Sequence, residues 1–81
     1  MMGGVCPLAF VAAGTEATIA EIRGGRGMRV RLSGMGLCPD ARVTIRSANR
    51  GSVIVSVGDA RYALSRGIAT KILVRGTQEA A

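Results

Sequence analysis

Apolar residues recur at every second position through the second half of the chain, a spacing that places their side chains on one face of a β-strand. Four short strands are predicted there, and their inward-facing residues are Val43 and Ile45, Val53, Val55 and Val57, Tyr62 and Leu64, and Ile72 and Val74. Residues 48–52 and the pair Gly58 and Asp59 have the composition of tight turns between strands. Residues 65–69 are predicted to form a single helical turn before the last strand.

A further strand is predicted earlier in the chain, over roughly residues 16–23. Its apolar residues Ile19 and Ile22 are three positions apart, whereas same-face residues of a flat strand are two apart. A β-bulge or sharp bend between them would bring both side chains inward, as a strongly curved small barrel requires.

Residues 26–35 carry the helical pattern of the sequence. Met28, Leu32 and Met35 are spaced at i, i+4 and i+7 and form one narrow apolar stripe,. Arg29 and Arg31 flank that stripe. We expect Leu32, at its centre, to be buried in the core of the domain.

Glycines border this helix at both ends. Gly36 stands where a left-handed residue would end the helix. The segment GGRG at residues 24–27 lacks the Lys-Ser/Thr ending of a phosphate-binding loop and the spacing of a dinucleotide fingerprint,. We therefore interpret Gly24 and Gly25 as a strand-to-helix turn that needs positive φ, and we assign backbone roles to Gly24, Gly25 and Gly36.

Together these elements predict a mostly β fold, a small five-stranded barrel with one short helix after the first strand. A chain of 81 residues is long enough for a single domain,. We place its core at about residues 6–75 and predict loose ends at residues 1–4 and 77–81.

Eleven basic residues against five acidic ones give a net charge of +6, and all the basic residues except Lys71 are arginine. A positive field of this kind attracts acidic protein surfaces, phosphates and anionic membranes. A genome rich in G and C would produce the same arginine bias without selection on the protein. Single-strand nucleic-acid binding usually adds aromatic stacking to charge, and Phe10 and Tyr62 are the only aromatic residues. We therefore expect no nucleic acid as the main partner.

The sequence contains few of the side chains that catalysis and metal binding require. There is no histidine, which is the commonest general base and metal ligand. The carboxylates are scattered without paired spacing, at Glu16, Glu21, Asp40, Asp59 and Glu79. The sulfur atoms of Met28 and Met35 could bind Cu(I) in principle, but on an apolar stripe they fit packing better. The sequence predicts a protein that is not an enzyme and holds no metal or cofactor.

Two features bear on the compartment. The apolar run over residues 5–13 is too short to span a bilayer, which needs about 20 residues, and no basic residue precedes it as in a signal peptide. Cys6 and Cys38 have neither the number nor the spacing of a disulfide framework or zinc site. We expect a cytoplasmic protein that does not insert into a membrane.

The order of these motifs resembles that of the FeoA family. The central match is IRGGRGMRVRL at residues 22–32 followed by MGLCP at residues 35–39, and CPL at 6–8 and ALSRGIATKILV at 63–74 extend it outward. The likeness covers residues 6–74. Asp40 departs from the family pattern, which usually has glycine after the proline. Because Asp tolerates turn conformations, this change should alter the local turn more than the fold.

The resemblance implies an SH3-like barrel that acts as a non-enzymatic cytoplasmic accessory protein of bacterial ferrous-iron uptake. It would dock on the cytoplasmic, GTPase-containing part of a FeoB-type transporter without carrying iron. From the residues themselves, the helix and its exit loop are the expected contact surface, with candidates Met28, Arg29, Arg31, Met35 and Leu37. The alternatives are a basic small barrel that binds nucleic acid, or a module related to the C-terminal SH3-like domain of iron-dependent repressors. The oligomeric state stays open.

Overall fold

The computed structural model of the chain describes residues 4–76. Within that range it contains six β-strands, two α-helices and a short 3₁₀ turn: β1 (Val5–Pro7), the 3₁₀ turn (Leu8–Phe10), β2 (Glu16–Ile22), α1 (Arg26–Gly34), β3 (Arg42–Ala48), β4 (Ser52–Val57), β5 (Ala60–Ser65), α2 (Arg66–Thr70) and β6 (Ile72–Gly76). The loose ends predicted at residues 1–4 and 77–81 lie outside the described residues, apart from Gly4.

The strands form one antiparallel sheet in the order β1-β6-β2-β3-β4-β5. The predicted mostly β class is confirmed, but the predicted count of five strands is wrong. The additional strand is β1, in which Cys6 pairs with Val74 of β6. Three residues that include a proline are too few to show an alternating pattern, so this strand is visible only through its pairing with the far end of the chain. As a result, α1 follows the second strand and not the first.

The predicted bulge in β2 is confirmed. Ile19 pairs with Val74 and Glu21 pairs with Leu73, so the register shifts between Ile19 and Glu21. The shift turns both Ile19 and Ile22 inward, with only 0% and 6% of their surfaces exposed. A second register shift lies in β3. Bulges of this kind bend and twist the strands that carry them.

Local side-chain hydrogen bonds close the predicted turns. Asn49 Oδ1 accepts hydrogen bonds from the backbone N–H groups of Gly51 and Ser52, each at 3.0 Å, and so shapes the turn between β3 and β4,. Ser65 Oγ accepts the N–H of Ile68 at 3.3 Å and caps the start of α2,. The predicted helical turn over residues 65–69 is therefore present, one residue later than expected.

The core is aliphatic. Its largest fully buried side chains are Leu8, Ile19, Leu32, Leu37, Ile45, Ile72, Val43, Val53, Val55 and Val74. Neither aromatic residue is among them: Phe10 is 70% exposed, and Tyr62 packs against the core from a half-buried position. Among residues 4–76, no helix has the length and apolar character that crossing a bilayer would require.

Candidate docking surface around helix α1

A compact hydrogen-bond motif ends helix α1. The N–H of Gly36 donates to the carbonyl of Ser33 at 2.9 Å, and the N–H of Leu37 reaches back to the carbonyl of Leu32 at 2.8 Å. Gly36 has the left-handed φ of 86° that this reversal needs. These bonds define a Schellman motif, which normally brings the residue after the glycine against the last turn of the helix. Here the motif folds Leu37 back toward Leu32.

The inward side of α1 consists of the predicted apolar stripe. Leu32 is only 2% exposed, and Met28 and Met35 are half-buried and pack against the same core. The two methionines therefore help to attach the helix to the sheet, and part of each side chain remains exposed. The predicted burial of Leu32 is confirmed.

Leu37 was a partner-contact candidate, and the structure corrects this assignment. Its side chain is 0% exposed, because the Schellman motif turns it into the core,. Leu37 is therefore a core residue.

The glycines around α1 divide into two kinds. The positive φ expected at Gly36 is present, but Gly24 and Gly25 do not have one, so that interpretation was wrong for both. Gly25 is the N-cap of α1 at φ −68°, and a Cβ atom placed there would meet open space. A Cβ atom placed on Gly24 would come too close to Sδ of Met28, so the flexible side chain of Met28 would have to shift to admit it.

Arg29 lies in a groove between β2, α1 and the exit loop. The groove has a volume of about 420 Å³ and is lined by Ala20, Glu21, Ile22, Arg29, Ser33, Leu37, Cys38 and Pro39. Most of this lining is apolar, and Leu37 contributes to its buried floor. At the rim, Glu21 Oε2 binds Arg23 Nε at 3.3 Å, so Glu21 does not neutralise Arg29. Of the five contact candidates, the groove brings together Arg29 and Leu37 but not Met28, Arg31 or Met35.

Val30 is a surface residue that was not among the contact candidates predicted from the sequence. It is 65% exposed and lies on the side of α1 opposite Leu32, next to the exposed Arg26 and Arg31,. One signal was available in the sequence: Val30 is apolar but lies outside the stripe of Met28, Leu32 and Met35. Valine is also a weaker helix former than alanine, so helix propensity does not account for valine at this position.

The part of the chain that the structure describes shows no candidate metal site. Residues 4–76 contain no group of three or more His, Cys, Asp or Glu side chains close enough to hold a metal ion. Cys6 is exposed, Cys38 is half-buried, and both are free thiols. Three of the four described carboxylates, Glu16, Glu21 and Asp40, face arginines in exposed ion pairs instead, with Arg42, Arg23 and Arg75 respectively.

The architecture of the sheet and of helix α1 identifies the structural class of the protein. An antiparallel sheet of short bulged strands, with the helix α1 inserted after β2, is a small SH3-like domain. A family model described as the FeoA domain matches residues 6–76, and the chain therefore belongs to the FeoA family.

Individual relatives agree with this assignment. The chain is 33% identical over 72 residues to a protein of Methanocaldococcus jannaschii named "Putative Fe(2+) transport protein A", covering 89% of this chain and 88% of that protein. A crystal structure of an iron uptake regulatory protein, FeoA, superimposes with a TM-score of 0.85 at 32% identity, over 91% of this chain and 100% of the other.

The predicted structural relation to metal-dependent repressors is also present. A manganese-dependent transcriptional repressor matches with a TM-score of 0.84 over 95% of this chain and 44% of its own. The sequence identity is only 20%, so this likeness concerns the fold alone.

Proposed function

We propose that the protein is a non-enzymatic accessory protein of ferrous-iron uptake, acting in the cytoplasm by binding the GTPase-containing part of a FeoB-type transporter. The observation that carries the proposal is the FeoA match, which extends over residues 6–76 and is accompanied by a relative named for Fe(2+) transport. Both similarities cover nearly the whole chain.

The chemistry of the surface supports binding over catalysis or iron carriage. Within residues 4–76 no cluster of metal-ligating side chains is present, and histidine is absent from the whole sequence. Helix α1 instead carries three exposed arginines: Arg29 lines the groove, and Arg26 and Arg31 lie on either side of the exposed Val30. Exposed charge around an apolar contact is the chemistry of a protein interface.

The test is direct binding. The purified protein is titrated into the purified cytoplasmic part of the FeoB-type transporter from the same genome, and the heat of binding is recorded. We expect saturable binding, with one molecule of the protein bound per docking site on the transporter part. An unrelated GTPase domain of similar net charge serves as the control. Absence of binding to the transporter part at protein concentrations of about 100 μM, a weak limit for a specific complex, would contradict the proposal.

A second candidate function, nucleic-acid binding, rests on a different surface. Arg50 and Arg66 line an open pocket of about 510 Å³ next to the β3–β4 turn, together with Ala9, Ala48 and Asn49. Phe10, the residue after Ala9, is 70% exposed. Arginine side chains bind phosphates, and an exposed aromatic ring can stack on a base.

Salt distinguishes the two functions. Binding dominated by phosphate contacts weakens about 10³–10⁵-fold between 50 and 200 mM salt when 6–10 phosphates are neutralised. A protein interface with a packed centre loses far less affinity over this range. Titrations with a single-stranded oligonucleotide and with the transporter part, each at both salt concentrations, therefore separate the candidates.

A further inference from the structure

Helix α1 has a side that the barrel does not use. We define the outer face of α1 as Arg26, Gly27, Val30, Arg31 and Gly34. The helical period of 3.6 residues places Gly27, Val30 and Gly34 along one line. Arg26 and Arg31 border this line, one on each side. All five residues are exposed, and the line lies opposite the buried Leu32.

The charges of this face have no partners among the described residues. The structure contains three ion pairs between residues 4 and 76, and they use Glu21, Glu16 and Asp40 with arginines outside α1. Helix α1 itself contains no acidic residue. Arg26 and Arg31 therefore present uncompensated positive charge, although carboxylates are available elsewhere on the surface. An acidic surface would complement this charge.

The centre of the outer face is apolar and low in profile. Val30 is 65% exposed. Cβ atoms placed on Gly27 and Gly34 would meet nothing within 4 Å, and neither glycine has a positive φ. Glycine weakens a helix relative to alanine, and nothing in the described chain requires it at these positions. An approaching backbone would have room on both sides of Val30.

We infer that the outer face of α1 is a docking surface for an acidic protein surface that carries a small apolar contact at its centre. This inference rests on the proposed function, and it places the acidic surface on the cytoplasmic part of the transporter. The apolar contact would cover Val30, and carboxylates on either side would pair with Arg26 and Arg31.

Other occupants fit this face less well. A second copy of the chain related by a two-fold axis would bring arginines against arginines. An amphipathic helix that lies on a membrane needs a broad apolar face with large side chains, whereas Met28, Leu32 and the C-cap residue Met35 pack against the barrel. Nucleic-acid binding gains from stacking, and the outer face has no aromatic residue.

The first experiment reverses charge in two matched ways. Arg26→Glu with Arg31→Glu changes the outer face, and Arg61→Glu with Lys71→Glu makes the same change in net charge at exposed positions on β5 and after α2. Binding of each double variant to the transporter's cytoplasmic part is compared with that of the parent protein. We expect the outer-face variant to lose about tenfold or more in affinity, and the control to stay within about threefold. Thermal unfolding should be unchanged in both.

The second experiment concerns shape. Gly34→Ala should raise the melting temperature by a few degrees, since alanine favours the helix and the added methyl group has free space,. The same methyl group should weaken binding several-fold by preventing close approach. A purely structural role for Gly34 would raise stability and leave the affinity unchanged, and that result would overturn close approach at this position.

The outcomes separate the inference from the function beneath it. If the parent protein does not bind, the proposed partner is wrong, and the outer face loses its occupant as well. If the parent binds and both double variants bind equally well, the proposed function stands and the outer face is not its docking surface. Vesicles of phosphatidylglycerol and a single-stranded oligonucleotide are tested in parallel. If only these two probes discriminate between the double variants, the partner is not an acidic protein surface.

Discussion

Sδ of Met28 lies closer than van der Waals contact to the position where a Cβ atom on Gly24 would stand. The side chain of Met28 is half-buried and packs against the core from the inward side of α1. The strand-to-helix connection therefore passes so close to Met28 that any residue larger than glycine at position 24 requires the methionine side chain to shift. This contact, and not a left-handed backbone, accounts for glycine at position 24.

Serine substitutions at two adjacent glycines test that contact. Gly24→Ser should destabilise the fold by about 1 kcal/mol, because the long Met28 side chain must shift to admit the new atoms. Gly25→Ser should stay within about 0.5 kcal/mol of the parent, since a Cβ there meets open space and serine is a good N-cap,. Urea unfolding measures both. Equal stability of the two variants would contradict the Met28 explanation.

The burial of Leu32 predicts a large effect of truncation. Leu32→Ala should lower the free energy of unfolding by about 2–5 kcal/mol, because a cavity would open beneath α1. Val30→Ala, on the same helix but 65% exposed, should change it by less than about 0.5 kcal/mol. The comparison is made by urea unfolding at constant temperature. If Leu32→Ala had no more effect than Val30→Ala, α1 would not be packed against the core as described.

Asp40 has a left-handed backbone conformation with φ 75°, alone among the non-glycine residues in the described range. Asp40→Val should cost about 1–2 kcal/mol, since a β-branched residue is strained in this region. Asp40→Gly should stay within about 0.5 kcal/mol, because relief of strain is offset by greater freedom in the unfolded chain.

The ion pair of Asp40 with Arg75 serves as the control for that measurement. The two side chains approach to 3.5 Å but are 89% and 49% exposed, respectively. Surface pairs of this kind contribute about 0–1 kcal/mol, so Arg75→Ala should change stability little. A loss in Arg75→Ala as large as that in Asp40→Val would mean that the ion pair, and not the backbone, determines the effect.

Metal content is the fourth prediction. The purified protein should contain no stoichiometric iron or zinc, and its melting temperature should not change on addition of a chelator. The reason is the donor set: the sequence has no histidine, and residues 4–76 hold no cluster of potential ligands. Elemental analysis and thermal unfolding check both statements. About one metal ion per chain, together with a lower melting temperature in chelator, would contradict the prediction.

The main elements of the fold could be predicted because their signals are local. Alternation of apolar residues located β3 to β6, and the three-residue spacing of Ile19 and Ile22 located the bulge in β2. The stripe through Leu32 located α1 and its inward side. Each pattern identifies side chains that share one buried face, and this depends only on the periodicity of the backbone.

The candidate site was predicted less well because it depends on contacts between distant or reversed segments. Leu37 looks like an exposed residue of an exit loop until the Schellman motif turns it inward. The strand β1 exists only because Cys6 meets Val74 on β6. No local pattern encodes the pairing of β1, whereas the apolar residue after Gly36 is a local sign of the inward turn of Leu37.

The sequence by itself therefore determined the mostly β class, the position of α1, the burial of Leu32 and the family resemblance, since all of these follow from the order and spacing of residue types. Tertiary structure alone decided which residues of α1 and its exit loop are exposed to solvent. Met28 and Met35 pack against the barrel, Leu37 is buried, and Val30 remains exposed between unpaired arginines. Helical periodicity gives the relative directions of side chains, but only the packed sheet determines which direction is covered.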